Sequence, residues 1–448
     1  MDGSGLPPKL LSTLSQAADI VRRHRFINLY SHFDADGITS ISIVAKALLR
    51  EGIAFNTTVF PVLSSPELEV IRSSNPECMV ITDLGASYVE EIEALDGEAV
   101  ILDHHELKFT EPVKTAYANP HLYGVDGGKN ACGATMALLF AVTLDDRNWD
   151  LSPLAITGMI GDMQTKDGVH DFNEYVFKEA EKRGFVQVTP GSLIPDGELV
   201  SALTHCTMPY IRSVAQSPTA ARQLLKEAGI EPGAAYADLD EEKKQILSSL
   251  ITVRLVKQGV TLEKLRETCK NRYFFPTWGI DGETLSGALD GCGRNECSDV
   301  GIAAGMGDRA ALKKAIEINN EYKAPLLDAI KAADATLNQM DNIQWTDTST
   351  YGFSGLIATI VAGYIGVPNK VAITVNLKDE IAKASARGTD TLLAEGVNLA
   401  DAMSVACREA GGEGGGHNVA AGGQFPRENY DRFLEVADRI VGEQLGKS

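Results

Sequence analysis

Strand-like and helix-like segments alternate through residues 26–102 with short connections, which predicts an α/β protein built on a parallel, doubly wound sheet. Two further observations support that class. Acidic and histidine-bearing segments follow the apolar strand-like runs, where such sheets gather their ligand sites. The last section, 342–448, returns to strand–helix alternation after a stretch that reads as purely helical.

The elements follow in order. Residues 9–25 read as an amphipathic helix ending in the basic run Arg22-Arg23-His24-Arg25. Residues 26–30 are the first strand, and 38–51 a helix closing at Gly52. A strand at 56–62, a helix near 66–74, a strand at 78–82, a helix at 87–95 and a strand at 99–102 complete the pattern. Residues 132–144 and 152–164 look helical. The expected domains are therefore 1–190, carrying the sheet, and a helical insertion at 191–275 with runs at 217–228, 239–258 and 261–270. A glycine-rich connector and long helix (309–339) fill 276–341, and a smaller α/β domain occupies 342–448. Within the last, 353–365 and 398–410 read as helices, and 370–377 and 381–387 as strands.

The 448 residues are enough for two or three domains with real cores, and 44% hydrophobic content describes a globular chain. No run reaches the roughly 18 apolar residues of a membrane helix. The start, Met-Asp-Gly-Ser-Gly-Leu-Pro-Pro, lacks the basic-then-apolar order of a secretory signal. Seven cysteines without a C-x-x-C pair read as reduced thiols, so a cytoplasmic location with no membrane partner is expected. Cys292 and Cys297 hint at a metal, but their spacing and the lack of a second pair favour ordinary packing. A net charge of −20 argues against coating nucleic acid by bulk electrostatics, yet leaves room for a local cationic channel.

Four clusters carry the chemistry. They contribute His32, Asp34 and Asp36; then Asp83; then Asp103, His104 and His105; and finally Asp162. The first three clusters fall at carboxyl ends of expected strands, and Asp162 is brought in by a helix. Mixed imidazole and carboxylate donors suit divalent manganese, with magnesium as the harder alternative, and so many acids suit two ions. Asp83, alone on its strand end, is the best bridge because a carboxylate has two oxygens. Asp34 and Asp36, on an extended segment or turn, would each reach a different ion. His104 would be a ligand with Asp103 orienting its ring from behind. His105 is then free to contact a phosphoryl oxygen or act on the leaving group. Singly, D-x-D-G is often a turn and an isolated Asp162 often a cap; their convergence on one sheet edge argues otherwise. The C-terminal section adds a glycine-rich loop with Gly414, Gly415, Gly416, His417 and Asn418, and a strand end with Ser385 and Arg387. Glycine permits close backbone approach to a phosphate and Arg offers a fork-shaped donor, so a substrate-phosphate cradle is the favoured reading.

These motifs resemble the DHH phosphoesterase family at Asp103-His104-His105, with D-A-D-G at 34–37, Asp83 and Asp162 as its other metal motifs. G-G-G-H (414–417) with S-A-R (385–387) is similar to its DHH-associated C-terminal domain. Length and the middle insertion look like the archaeal RecJ-like nucleases rather than the shorter oligonucleotide and pAp phosphatases. The segment 285–294 resembles a stretch of those nucleases, which implies that Arg294 faces the substrate. The resemblance implies a manganese-dependent exonuclease on single-stranded DNA, with RNA as a further substrate. It also implies a link to the GINS complex of the replicative helicase. His32 stands where bacterial RecJ has an acidic residue, and the insertion matches nothing specific. Two alternatives remain: a phosphodiesterase acting on oligoribonucleotides, pAp or cyclic dinucleotides, and a replisome scaffold with secondary nuclease activity.

Overall fold

The computed structural model describes residues 6–107, 114–166, 168–194 and 197–447. Met1–Gly5, part of the segment read above for a secretory signal, lie outside them. The chain divides into two compact units, Met1–Pro190 with Asn271–Tyr322, and Gly191–Lys270 with Lys323–Ser448.

In the first unit, helix α1 (Pro8–Arg22) starts on a proline, tolerated there because the first N–H groups of a helix lack internal partners. Its Leu10, Leu14, Ala17, Ala18 and Val21, three or four apart, form the buried stripe. Strands β1 (Phe26–His32), β2 (Ala54–Phe60), β3 (Cys78–Thr82), β4 (Glu98–Leu102) and β5 (Ala116–Ala118) form an all-parallel sheet in the order β2-β1-β3-β4-β5. Successive side chains point to opposite faces. Ile27, Leu29, Val80, Val100 and Leu102 enter a core with α1, α2 (Ala35–Arg50), α5 (Gly133–Leu144) and α6 (Ser152–Gly161). Tyr30, Met79, Ile81, Ala99 and Ile101 enter another, closed by α3 (Ser65–Ser73) and α4 (Val89–Glu93). Burial on both faces explains why these strands read as continuous apolar runs. The expected doubly wound class is borne out.

The strand order reverses between β1 and β3, and in such sheets the crevice outside the carboxyl ends at that reversal is where ligands bind. Helix α2 starts at Ala35, three residues earlier than the sequence pattern suggests. The Asp34 carboxylate caps it, accepting from Gly37 N at 3.0 Å. Asp36 therefore sits in a helical first turn and not on an extended segment. Strand β5, three residues of Ala-Tyr-Ala, has too little pattern to be read from sequence.

The expected connector, 276–341, is divided between the units, with 276–322 in the first. Its glycine-rich part is not irregular: it forms helices Gly282–Arg294 and Ser298–Gly305. Glycine there serves close packing. A Cβ at Gly293 would lie 1.7 Å from the carbonyl oxygen of Phe33, between His32 and Asp34.

In the second unit, the insertion helices Leu199–Thr204, Pro218–Glu227, Glu241–Gln258 and Leu262–Thr268 share a core with Leu326, Leu327 and Ile330 of the long helix Arg309–Ala335 and with Ile360, Tyr364 and Ile365. A six-stranded mixed sheet runs Glu413–Gly416, Ala420–Pro426, Ile381–Arg387, Val371–Asn376, Ile343–Asp347, Asn338–Gln339. Helices Leu399–Glu409 and Tyr430–Gln444 pack against it through Ala402, Met403, Ala406, Phe433 and Ala437. Residues 413–416, expected as a loop, are instead an edge strand paired antiparallel with Ala420–Pro426. Only 417–419 form the turn between them. Among the described residues no helix is long and apolar enough to cross a membrane.

Candidate metal centre

All eight acids and histidines singled out in the first unit converge outside the carboxyl ends of β1, β3 and β4. Their donor atoms form three overlapping groups, each within 4.8 Å: His32, Asp34 and Asp83; Asp36, His104 and Asp162; and Asp83, Asp103, His104 and His105. Asp83 and His104 each belong to two groups. His32 ends β1, Asp83 follows β3, Asp103 and His104 follow β4, and Asp162 caps the C-terminus of α6.

Each of the two inner histidines is oriented by a backbone carbonyl. His32 donates from Nε2 to Pro61 O at 3.2 Å, and His104 donates from Nδ1 to Gly127 O at 2.8 Å. The opposite ring nitrogen, a lone pair in neutral imidazole, faces carboxylates. His32 Nδ1 lies 3.0 Å from Asp34 Oδ2 and 3.6 Å from Asp83 Oδ2. His104 Nε2 lies 3.1 Å from Asp83 Oδ1, 3.4 Å from Asp162 Oδ2 and 3.8 Å from Asp36 Oδ2. A lone pair turned at anionic oxygens is repulsive unless a cation lies between them.

A proton can be that cation, and the titration of the groups reflects it. Burial pulls His32 down, but hydrogen bonds to Asp34 and Asp83 outweigh it and raise the ring to about 10. For His104 burial again opposes, and Asp83, Asp162 and Asp36 hold it well above its usual value. Asp162 is pushed up to about 7, first by burial and then by Asp83 and Asp34, against the pull of His104. Burial, with Asp162 and Asp83, also raises Asp36. Asp83 is held below its usual range despite burial, because both histidines bond to it.

A divalent ion fits the same donors. Bonds of roughly 2.1 Å to hard oxygen ligands put neighbouring ligand atoms about 3 Å apart, close to the shorter imidazole–carboxylate separations here. Asp83 directs one oxygen at each histidine, the arrangement a bridging carboxylate needs. The mixed imidazole–carboxylate set could hold divalent metal ions.

The other members are held differently. Asp36, fully buried, accepts from Gly133 N (2.6 Å) and Ala134 N (2.9 Å) at the start of α5, where unpaired N–H groups favour an anion. Its approach requires glycine at 158, because a Cβ there would come within 2.3 Å of Asp36 Oδ1. Asp103 does not orient the His104 ring. Its Oδ2 accepts from Ala86 N at 2.7 Å, and its Oδ1 accepts from His104 N at 2.7 Å and from the His105 ring Nδ1 at 2.8 Å. The second carboxylate oxygen is thereby tied to the loop after β3 at Ala86. The His105 ring is 53% exposed, and the Asp103 bond raises its pKa against the effect of burial.

Arg294 ends helix Gly282–Arg294 in the same unit, with Nε 2.5 Å from Asp290 and its guanidinium 5.6 Å over the Phe33 ring. Phe33 also lines a cavity of about 620 Å³ with Pro61, Arg294 and Ser298. Cys292 is core, and no donor group found among the described residues includes Cys292 or Cys297. In the second unit, pairing sets Ser385 opposite Gly422, which pairs Gly415 on its other side, and sets Arg387 opposite Ala420. Gly414 and Gly423 are likewise cross-strand partners, and Gly416, His417 and Asn418 close the hairpin. Arg387 is half-buried, and burial lowers its pKa. Among the described residues it has no carboxylate partner, and its NH1 donates to Ala386 O at 2.9 Å. Sequence reasoning did not find Gly127, which accepts from His104 Nδ1, nor Gln164, Asn173 and Thr135, which are linked to it by hydrogen bonds; a loop glycine and isolated polar residues carry no readable signal.

Comparison with known proteins agrees with this architecture. Residues 26–160 match the DHH family N-terminal domain and 349–443 the DHHA1 domain. An uncharacterized protein of Methanocaldococcus jannaschii is 33% identical over 434 residues, 95% of each chain. The crystal structure of exonuclease RecJ bound to manganese aligns with 98% of this chain and 95% of its own at a TM-score of 0.53 and 15% identity. CDC45 from Entamoeba histolytica aligns with 96% of this chain and 99% of its own at a TM-score of 0.60 and 11% identity. At such identities those two likenesses concern the fold. With both domain signatures in order and a RecJ-like fold beneath them, the chain belongs to the DHH family.

Proposed function

We propose that this protein is a metal-dependent phosphodiesterase that removes nucleotides from the end of single-stranded DNA, and of RNA as a further substrate. The observation that carries the reading is Asp83, whose two oxygens face the lone-pair nitrogens of two different histidines. When bound, a pair of divalent ions, manganese preferred, would supply an activated water and charge neutralisation at the phosphoryl group. In this reading His32, Asp34, Asp36, Asp83, His104 and Asp162 hold the ions. Asp103 keeps the His105 Nδ1–H in place, so protonated His105 can give its Nε2 proton to the leaving oxygen as the P–O bond breaks. Arg387, with Ser385 and the 414–418 hairpin, would bind a substrate phosphate, an anion favoured by a half-buried guanidinium that has no carboxylate partner among the described residues. Arg294 over Phe33 would contact the nucleotide near the metals.

The test is end-labelled single strands of DNA and RNA, labelled at either end, incubated with manganese or magnesium. Stepwise release of mononucleotides is expected, abolished by Asp83→Ala and by His104→Ala. Full activity in either variant sinks the metal assignment, and cleavage of dinucleotides alone would move the protein to the small-substrate phosphodiesterases.

A second reading, a replisome scaffold docking to GINS, draws on helix Glu241–Gln258. Leu247, Ile251 and Leu255 are buried there while Ile246, Val253 and Val256 remain exposed. Association with helicase subunits that survives Asp83→Ala and fails when Val253 and Val256 become Asp would favour it.

A further inference from the structure

We propose that Gln164, Asn173 and Thr135 are positioning residues that hold the His104 imidazole in its metal-facing orientation through the carbonyl of Gly127. The inference rests on the metal centre read above and goes beyond the eight residues assigned to it.

A carbonyl oxygen only accepts hydrogen bonds, and that of Gly127 accepts two: His104 Nδ1 at 2.8 Å and Gln164 Nε2 at 2.9 Å. Gln164 must therefore present its NH2, which leaves Oε1 to accept from Asn173 Nδ2 at 2.7 Å. Asn173 Oδ1 in turn accepts from the Thr135 hydroxyl at 2.5 Å. Every link fixes the orientation of the next, and His104, Gln164, Asn173 and Thr135 are all buried. Thr135 lies in α5, Asn173 in helix Asp171–Lys182, and Gln164 in the turn after α6, whereas Gly127 lies outside regular structure. Regular elements thus brace a carbonyl that no helix or strand holds. Asn173 N also donates to Asn130 O at 3.0 Å, fastening the same loop a second time. The Gln164 Nε2 is also 3.5 Å from Asp162 Oδ2, so one amide touches both the anchor of His104 and its carboxylate neighbour. With Nδ1 committed to Gly127, Nε2 alone can meet the Asp83, Asp162 and Asp36 oxygens.

The experiment uses the full chain with 15N-labelled histidine. Exchange of the His104 Nδ1 proton with water is followed in the metal-free protein, and manganese affinity is measured from the electron paramagnetic resonance of the free ion. Gln164→Met keeps the length and removes the donor. It should speed that exchange and weaken manganese binding by roughly 10–100-fold, as loss of the partner behind a ligating histidine typically does. Thr135→Val should shift both readouts the same way by less, and Thr135→Ser should restore them. Unchanged exchange and affinity in both Gln164→Met and Thr135→Val would overturn the proposal. So would weakened binding with the Nδ1 proton undisturbed. If Gln164→Met does not fold, the Thr135→Val and Thr135→Ser pair decides alone. Should the unmodified protein bind no manganese, the metal-centre reading fails, while proton exchange still reports on positioning.

Discussion

Asp83 adopts a left-handed backbone, φ 55°, which aspartate tolerates better than bulkier residues and which recurs where function over-determines local geometry. The histidines beside it lead to a prediction about pH. His32 titrates near 10 in the folded protein, above its ordinary value, so its contribution to stability is complete below about pH 6.5 and is lost as pH rises through 10. Asp162, raised to about 7, likewise stabilises below its ordinary range and loses that contribution as pH rises through 7. Both act in one direction, so the metal-free protein should melt at a lower temperature at pH 8.5 than at pH 6. Manganese should raise the melting temperature more at pH 8.5, because at pH 6 it must displace protons. Calorimetry at the two values, with and without the ion, checks this; an equal metal effect at both would contradict the shared-cation account. Which acids and histidines come together was legible, Asp162 apart, from their positions after strand-like runs. That Asp103 bonds the His105 ring and not the His104 ring was not, since both histidines lie within two residues of it.

Helix Gly282–Arg294 shows what glycine patterns hide. Its glycines read as a connector, yet the lack of a Cβ at Gly293 lets the helix press against Phe33, between His32 and Asp34. Gly293→Ala would drive a methyl into the Phe33 carbonyl. The expected result is a loss of about 1–3 kcal/mol in denaturant unfolding, the usual range for overpacking, with weaker manganese binding because His32 and Asp34 flank the displaced residue. Stability lost with metal affinity intact would show that the helix does not shape the centre. The glycine-rich C-terminal segment misleads similarly: 413–416 is strand because Ala420–Pro426 supplies its backbone partners, and glycine carries no side-chain pattern to announce it. Strands 26–30 and 78–82, by contrast, were evident from apolar runs, the first extending in the structure to His32.

A chain carrying a net charge of −20 cannot hold nucleic acid by bulk attraction. Binding of single strands should rest on few phosphate contacts, and log affinity against log salt should fall with a shallow slope, about 0.7 per contact. Arg387→Ala should reduce that slope by roughly 0.7 and raise KM more than it lowers kcat. Fluorescence titration across salt concentrations, paired with steady-state kinetics, checks both; an unchanged slope would remove Arg387 from the phosphate cradle. The sequence by itself determined the fold class, the alternation of strands and helices through residues 26–102 and the identity of the metal-donor candidates, because apolar periodicity and the chemistry of side chains are local properties. Only the tertiary structure decided that β1 lies beside β3, that Asp36 answers to the N-terminus of α5, and that Thr135, Asn173 and Gln164 brace His104 through Gly127. Those relations join residues tens of positions apart, and they follow from how helices pack on a sheet rather than from any pattern along the chain.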